Sequence, residues 1–193
     1  MTKRMFRLLT VTLVAITLVS GGAAQAKPAK PKTTTSEIRG SYVNDLSCPV
    51  PRYARPHADD PTKVDVSCDI SSLYTGGLDG RTLGTATATV DLVTGDIVGE
   101  YDEWLYATYS AEDGSFGGIH FAGTWSIDGK TQAFTARSQI VGGTCSFAGA
   151  EGSGAFDGMS THGGFIVELT RPNPTPAPAP TCNPIDPVPV PVP

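Results

Sequence analysis

Alternation between apolar and polar residues runs through most of the chain between residues 38 and 170. It is clearest from Val64 to Ile70, where every second side chain is apolar or Cys and the residues between them are Asp or Ser. A period of two places one side of a β-strand against a core and the other side toward solvent. This strand is predicted to extend to Tyr74, and further strands are predicted over residues 38–43, 82–93, 97–110, 118–127, 132–141 and 163–170.

Turn signals separate these runs. Thr94-Gly95-Asp96 and Asp128-Gly129-Lys130 are typical of hairpin turns. Roughly eight short strands, with no convincing helical period between them, indicate an antiparallel β-sandwich or β-barrel. We favour an all-β antiparallel barrel, because closure leaves no exposed strand edge in a protein this rich in strands.

Glycine is densest between residues 134 and 158. Such density marks backbone that needs a positive φ or a close approach to its neighbours. Four glycines of this region are predicted turn positions: Gly142, Gly143, Gly149 and Gly152. We expect Phe147 and Phe156 to fill the core beneath these turns.

Both ends of the chain differ in composition from the strand-rich part. Three basic residues near the start precede an apolar run shorter than the ~20 residues of a membrane span, and Ala24-Gln25-Ala26 follows. This layout predicts a cleaved secretory signal peptide and no membrane-spanning segment after cleavage. The predicted parts are a signal peptide (1–26), a basic leader (27–36), a β-domain (37–171) and a Pro-rich tail (172–193).

The tail alternates proline with small or aliphatic residues, which opposes helix and sheet and favours an extended polyproline II segment. Such a tail is either an arm that spans the cell wall or docks a partner, or an unstructured end. Composition alone does not separate these interpretations, and we favour the second. The predicted signal peptide gives an extracellular location. The interpretation of the tail as an arm adds cell-wall association as an alternative.

The charge balance of the chain is acidic. The net charge is −5, and it becomes −8 without residues 1–26, which hold three positive charges and no acid. Contacts with phosphates are made largely by Lys and Arg, so we expect no nucleic acid partner. The local basic stretch Lys27, Lys30 and Lys32 is interpreted as a solvated leader.

The chain has four cysteines, Cys48, Cys68, Cys145 and Cys182. Disulfides are expected in an exported chain, and four cysteines allow three pairings. We favour Cys48 with Cys68 and Cys145 with Cys182, the second of which would attach the tail to the glycine-rich turn. A zinc site is the alternative, but no CxxC or CxxH pair exists, so we predict no metal and no cofactor.

The segment QIVGGTCSFAGAEGSG, residues 139–154, resembles the glycine-turn signature of the allene oxide cyclase and dirigent barrel superfamily. In that signature a strand ends in a GGTG-like turn followed by F-x-x-A-x-G. The matching positions are Gly142, Gly143, Thr144, Phe147, Ala150 and Gly152. Cys145 stands where the family usually has Gly. The resemblance covers the C-terminal half of the domain.

This resemblance implies an eight-stranded antiparallel barrel whose wide mouth holds an apolar ligand. Barrels of this superfamily host cyclases, proteins that guide stereochemistry and many secreted bacterial proteins, so the resemblance assigns no activity. It also matches no catalytic residue of the family to a position in this chain.

The strand over 97–110 supplies a candidate pocket, because it has the densest polar and aromatic residues of the chain. Four side chains would share one of its faces, with His120 on the neighbouring strand: Glu100, Asp102, Trp104 and Tyr106. If that face pointed inward, a buried carboxyl with a raised pKa could protonate or orient an apolar substrate. We favour a solvated outer face, because buried Asp and Glu are rare unless paired.

Arg137 and Gln139 lie on the polar face of the strand before the glycine turn. As ligand-binding groups they would hold a carboxylate, but an ordinary surface position is the favoured interpretation. The three histidines lack the spacing of metal ligands, and the chain has neither a convincing catalytic triad nor a phosphate-binding loop.

Three functions follow from these patterns. We favour a secreted barrel that binds a small apolar molecule or a partner surface without catalysis. The alternative is a cyclase or stereocontrol protein that uses the candidate pocket, and a third is a structural module displayed at the cell surface on its tail. The direction in which the candidate pocket residues point separates the first two.

Overall fold

A computed structural model of the protein describes residues 32–45, 52–109, 115–173 and Cys182. They lie within one compact unit, Pro31–Pro193. The described strands are β1 (Lys32–Asp45), β2 (Tyr53–Pro56), β3 (Lys63–Gly76), β4 (Leu78–Asp91), β5 (Ile97–Tyr109), β6 (Phe116–Ile127), β7 (Ala133–Gly143), β8 (Glu151–Met159) and β9 (His162–Asn173). The predicted signal peptide and most of the Pro-rich tail lie outside the described residues.

Eight of these strands form a closed antiparallel barrel. From β3 to β9 each strand pairs with the next in the chain, and β1 pairs with both β9 and β3, which closes the circle. The short 3₁₀ turn Cys145–Phe147 connects β7 to β8, and no α-helix occurs in the described ranges. The prediction of an all-β antiparallel eight-stranded barrel is confirmed.

The ninth strand, β2, lies on the same edge of β3 as β1 does. β1 pairs with Ser71–Gly76 and β2 with Val64–Ser67, so the two follow one another along β3. β2 falls in a stretch rich in proline and Asp between the predicted strands over residues 38–43 and 64–74, where the sequence pattern predicts no strand. Pro56 is tolerated there because β2 pairs on one side only.

The strand bounds differ from the predicted ones at both ends of the domain. β1 begins at Lys32, inside the predicted basic leader, because Thr33 to Thr35 pair with the end of β9 up to Pro172. β-branched threonines favour such extended pairing. β8 occupies the glycine-rich stretch that was interpreted as turns. Gly152, the second residue of this strand, has φ +145°.

One end of the barrel is packed solid. Its fully buried side chains are mostly large and apolar: Leu78, Leu105, Ile119, Phe121, Phe147, Val167 and Leu169. Phe147 comes from the 3₁₀ turn and is enclosed by the ends of β6 and β7, where Gly117 and Gly143 leave room for it. The predicted roles of Phe147 and Phe156 as core-filling residues agree with their burial.

Candidate functional site

The other end of the barrel contains a cavity of about 310 Å³. Its lining reaches the ends of the strands at Val90, Ile97, Ile127 and Phe134, so it lies beneath the turns that join β4 to β5 and β6 to β7. Small inward-facing residues create the space, since Ala86 and Ala88 occupy positions of β4 where larger side chains would fill it.

Aromatic rings form a large part of the cavity wall. They are Tyr42, Tyr74, Tyr101, Trp125, Phe134 and Phe156. Several pack edge to face, as Tyr42 does against Phe134 with ring centroids 5.8 Å apart. The Trp125 indole N–H donates a 3.3 Å hydrogen bond to the Glu100 carbonyl, which leaves the carbon part of the ring to the cavity.

Glu103 of β5 is the acidic group of the cavity lining. Its side chain points inward between Tyr101 and Leu105, and the residue is only 4% exposed. Gly84 lies opposite it on β4, where a Cβ atom would collide with Glu103. The Tyr74 hydroxyl donates a 3.2 Å hydrogen bond to Glu103 Oε1.

Burial changes the ionisation of this group. Loss of hydration raises the pKa of Glu103 from 4.5 to about 7, although hydrogen bonds from Thr82 and Tyr74 offset part of the rise. Burial also raises the pKa of Tyr42 to about 12 and the pKa values of Tyr74 and Tyr101 well above 10. The carboxyl of Glu103 therefore changes charge near neutral pH while the three phenols stay neutral.

Three buried hydroxyls in this part of the barrel have unmet hydrogen-bonding capacity. Among the described residues, Tyr42 Oη, Tyr101 Oη and Ser138 Oγ have no partner that meets hydrogen-bond geometry, although Ser138 is a polar neighbour of Tyr101. Buried polar groups in native proteins are nearly always satisfied. Tyr42 and Tyr101 line the cavity, so a ligand there would find hydrogen-bonding groups already in place.

The candidate pocket predicted on β5 does not line this cavity. Glu100 and Asp102 are exposed, and Trp104 and Tyr106 are half-buried on the outer face of the barrel. The cause is the alternation along β5: its inward positions are Ile97, Tyr101, Glu103 and Leu105. The favoured interpretation of a solvated outer face thus agrees with the structure, and the inward interpretation is wrong.

His120 also lies on the outer face, in contact with two of those residues. Its Nε2 atom lies 2.8 Å from Asp102 Oδ1, and its ring stacks on Trp104 with centroids 4.6 Å apart. The Asp102 side chain is 59% exposed. Asp102, Trp104 and His120 therefore form one group on the outer face of the barrel, where the favoured interpretation puts them, and none of them lines the cavity.

Arg137 and Gln139 are likewise exposed on the outer face of β7. Arg137 lies 3.3 Å from Asp157 of β8 and donates a 2.7 Å hydrogen bond to the Ala136 carbonyl. Neither residue lines the cavity. Their positions agree with the ordinary surface interpretation.

The predicted structural residues occupy several distinct environments. Cys145 and Cys182 form a disulfide with a Cα–Cα distance of 5.7 Å, as predicted. Cys68 lines the cavity and is disulfide-bonded, whereas Cys48 lies outside the described residues.

The four glycines predicted at turns differ in whether and why the position needs a glycine. Gly149 and Gly152 have positive φ, and a Cβ at Gly143 would collide with Phe147. Gly142 lies beside His120 without such crowding.

No cluster of three or more His, Cys, Asp or Glu side chains suited to a metal ion occurs among the described residues. In the same part of the chain, no helix is long and apolar enough to cross a membrane.

Comparisons with known proteins identify the fold. The sequence matches no protein-family model. It also matches none of the curated proteins. Among solved structures, the barrel is similar to a protein of unknown function from the DUF3224 family of Shewanella oneidensis MR-1. That similarity has a TM-score of 0.55 and 14% sequence identity, and it covers 70% of this chain and 96% of the other.

This likeness shows the barrel fold alone, because 14% identity is too low to carry an activity. It supports the barrel that the glycine-turn resemblance implied. It does not extend to the allene oxide cyclase and dirigent family, because the resemblance to that family comes only from sequence patterns in the C-terminal half of the domain.

Sequence reasoning missed Glu103 as a site residue. The signal that could have identified it is that the other residues on the same face of β5 are apolar or aromatic. They are Tyr101, Leu105 and Ala107, and all three are buried. The opposite face has two carboxylates within three residues. Comparing the two faces for charge would have placed Glu103 inward as an isolated buried acid.

Proposed function

We propose that this protein binds one small, mainly apolar molecule inside the barrel and performs no chemistry on it. The observation that carries the proposal is the cavity of about 310 Å³ with aromatic and aliphatic walls, above a solidly packed floor. Pockets that bind small molecules typically have ~300–1,000 Å³ and apolar walls with a few polar groups. The cavity is at the lower end of that range, so it suits a single compact ligand.

The cyclase or stereocontrol alternative has less support. Its named candidate residues, such as Asp102 and Tyr106, lie on the outer face. Within the described part of the cavity it would depend on Glu103 as the acidic group, which accepts a 3.2 Å hydrogen bond from the Tyr74 hydroxyl. The described residues thus favour binding over catalysis.

The binding proposal is tested by filling the cavity. Ala88 of β4 lines it, whereas its neighbour Thr87 points outward and is exposed. Ala88→Phe places a ring in the cavity, and Thr87→Phe places the same ring on the outer surface. With Nile red, a neutral apolar dye, we expect about a tenfold or greater loss of affinity for Ala88→Phe and little change for Thr87→Phe, because only the first removes buried contact area.

Fluorescence titration of the purified protein measures both effects. The wild-type protein should bind the dye with a stoichiometry of one. Equal affinity in Ala88→Phe and the wild type, with both folded by circular dichroism, would show that the dye binds elsewhere and would contradict the proposal. Absence of binding by the wild type to any apolar probe would contradict it as well.

We also propose that the protein acts outside the cytoplasm. The support is the signal-peptide pattern of residues 1–26 and the Cys145–Cys182 disulfide, since such bonds persist in oxidising compartments. Mass spectrometry of protein recovered from the culture medium tests this. The expected N-terminal residue is Lys27, and a protein found only in the cytoplasm with residue 1 intact would exclude secretion.

A further inference from the structure

The ionisable groups of the cavity are unbalanced in charge. Among the described residues that line it, Glu103 is the single carboxylic acid, and none is Lys, Arg or His. An ionised carboxylate in such surroundings has no cation to compensate it, which is a costly arrangement. An anionic ligand would add a second uncompensated charge, whereas a cationic ligand would supply the missing partner.

The aromatic walls favour the same sign of charge. Six aromatic side chains line the cavity, and a ring face attracts cations through its negative quadrupole. Tyr74 packs edge to face against Phe156, with centroids 5.9 Å apart, next to the carboxyl it hydrogen-bonds. The wall therefore presents a ring-lined enclosure with one acid, which is a chemistry suited to an ammonium group.

The unpartnered hydroxyls add acceptors for N–H groups. An ammonium ion has three donors and no acceptor. Tyr42 and Tyr101 both line the same cavity; the Tyr42 hydroxyl has no hydrogen-bond partner among the described residues, and the Tyr101 hydroxyl has Ser138 as its polar neighbour. The Tyr101 hydroxyl lies near enough to Glu103 for the carboxylate charge to raise its pKa, so the two groups provide acceptors for one bound amine.

We propose that the cavity selects molecules in which a protonated amine is attached to an apolar skeleton, with the ammonium group held by Glu103 and surrounded by the aromatic walls. This inference rests on the proposed function, because it specifies the ligand of the same cavity. If the inference is correct, the affinity of the cavity for an amine depends on the charge of Glu103.

The pH dependence follows from the groups that face Glu103. Tyr42 from β1, Tyr74 from β3 and Tyr101 from β5 stay neutral below pH 10, because burial raises the pKa of each. β4, β6, β7 and β8 contribute no ionisable side chain to the lining among the described residues. Asp102, on the outer face of β5, adds a smaller rise to the Glu103 pKa. Glu103 therefore controls the titration, and amine affinity should increase as the pH rises through about 7.

The experiment uses three probes with one chain and different head groups: octylamine, 1-octanol and octanoate. At about pH 8.5, calorimetry should show octylamine binding about tenfold or more tightly than octanol, since charge-assisted hydrogen bonds contribute roughly 1.5–3 kcal/mol. Octanoate should bind most weakly. Between about pH 8.5 and 5.5 the affinity for octylamine should fall roughly 30-fold, as the ionised fraction of Glu103 falls, while octanol changes little.

Two variants identify the group responsible. Glu103→Gln should remove the preference for octylamine over octanol and its pH dependence while octanol still binds. Glu100→Gln, on the outer face of the same strand, should retain both. A measurement that needs no variant is proton release: near pH 6, octylamine binding should release close to one proton, seen as a dependence of the heat on the buffer.

The outcomes separate this inference from the proposed function. If octanol binds and octylamine binds no more tightly at about pH 8.5, the amine preference is wrong and apolar binding stands. Octanoate as the tightest of the three would also overturn the amine preference. If neither Nile red nor any of the three probes binds, both proposals are wrong.

Discussion

The Tyr74 hydroxyl donates a 3.2 Å hydrogen bond to Glu103 Oε1 inside the barrel, where both residues are buried. β3 brings Tyr74 and β5 brings Glu103, with β4 between the two strands. One hydrogen bond of this kind does not replace the hydration of a carboxylate, so the acid remains easier to protonate than in water. Because the pKa of Glu103 is higher in the folded protein than in the unfolded chain, the stability of the barrel depends on pH.

Glu103→Gln should make the barrel more stable above pH 7. The pKa of Glu103 is about 7 in the folded protein against an ordinary 4.5, so the folded state binds more protons between these values. Stability from this group is therefore present below pH 4.5 and lost as the pH rises to 7. At about 1.4 kcal/mol for each pH unit, the loss amounts to about 3 kcal/mol. Urea unfolding at pH 5 and pH 8 measures it.

The control for this prediction is Glu100→Gln, which changes an exposed carboxyl on the same strand. That variant should keep the wild-type difference between pH 5 and pH 8, whereas Glu103→Gln should lose most of it. Aspartates in the turns act in the opposite direction and at lower pH: hydrogen bonds from Thr131 lower the pKa of Asp128. Their stabilisation is lost only as the pH falls below 4. A wild-type protein that gained stability from pH 5 to pH 8 would contradict the assignment.

Phe147→Ala should strongly destabilise the packed end of the barrel. The side chain is fully buried, and the Arg171 guanidinium lies over its ring, 5.9 Å from the centroid. Truncation of a buried Phe costs about 3–5 kcal/mol. Val141→Ala, at an exposed position of β7, should cost less than about 0.5 kcal/mol. Denaturant unfolding compares the two, and similar costs would mean that Phe147 does not close the barrel.

Asp102→Asn should leave both stability and ligand binding nearly unchanged. It removes the charge that lies 2.8 Å from His120, but the Asp102 side chain is mostly exposed and faces away from the cavity. Exposed ion pairs contribute about 0–1 kcal/mol. A Nile red titration should match the wild type within about twofold. A large loss of dye affinity would show that the outer face of β5, and not the cavity, is the binding surface.

The fold could be predicted from sequence because the strands are long and their alternation is regular. Phe134, Ala136 and Ile140 are inward positions of β7, as the pattern indicates. The short strand β2 was missed because it forms by pairing with β3, and a local pattern does not report which strand a segment pairs with. β8 was missed because glycines that indicate turns also permit close contact between strands, as at Gly152, where a Cβ would collide with the Glu168 carbonyl of β9.

The site was less predictable because β5 is polar on both faces. Alternation identifies two faces but does not decide which one is inside. The choice is made by the neighbouring strands, since Ala86 of β4 and Phe121 of β6 are inward and the register sets Tyr101 and Glu103 beside them. A local pattern does not report that register. The face of β5 with more carboxylates was therefore considered as a cavity lining, although it does not line the cavity.

The cysteine bridge at the glycine-rich turn has a backbone cost that a glycine would not have. Cys145 has φ +56°, in the left-handed region that side chains with a Cβ rarely adopt. Its bridge to Cys182 closes a loop with a sequence separation of 37. In the chain-entropy treatment such a loop contributes about 4 kcal/mol to stability. The bridge thus outweighs the conformational cost of roughly 1–2 kcal/mol at Cys145.

Two paired variants test this balance. Cys182→Ser with Cys145→Ser should lower the free energy of unfolding by about 4 kcal/mol, because it removes the bridge and keeps the strained Cβ. Cys182→Ser with Cys145→Gly should recover about 1 kcal/mol of that loss, because glycine adopts φ +56° without strain. Urea unfolding under non-reducing conditions measures both. If the glycine variant were less stable than the serine variant, the entropy that glycine adds to the unfolded chain would exceed the strain at residue 145, and the φ value would not be the reason why Gly suits this turn.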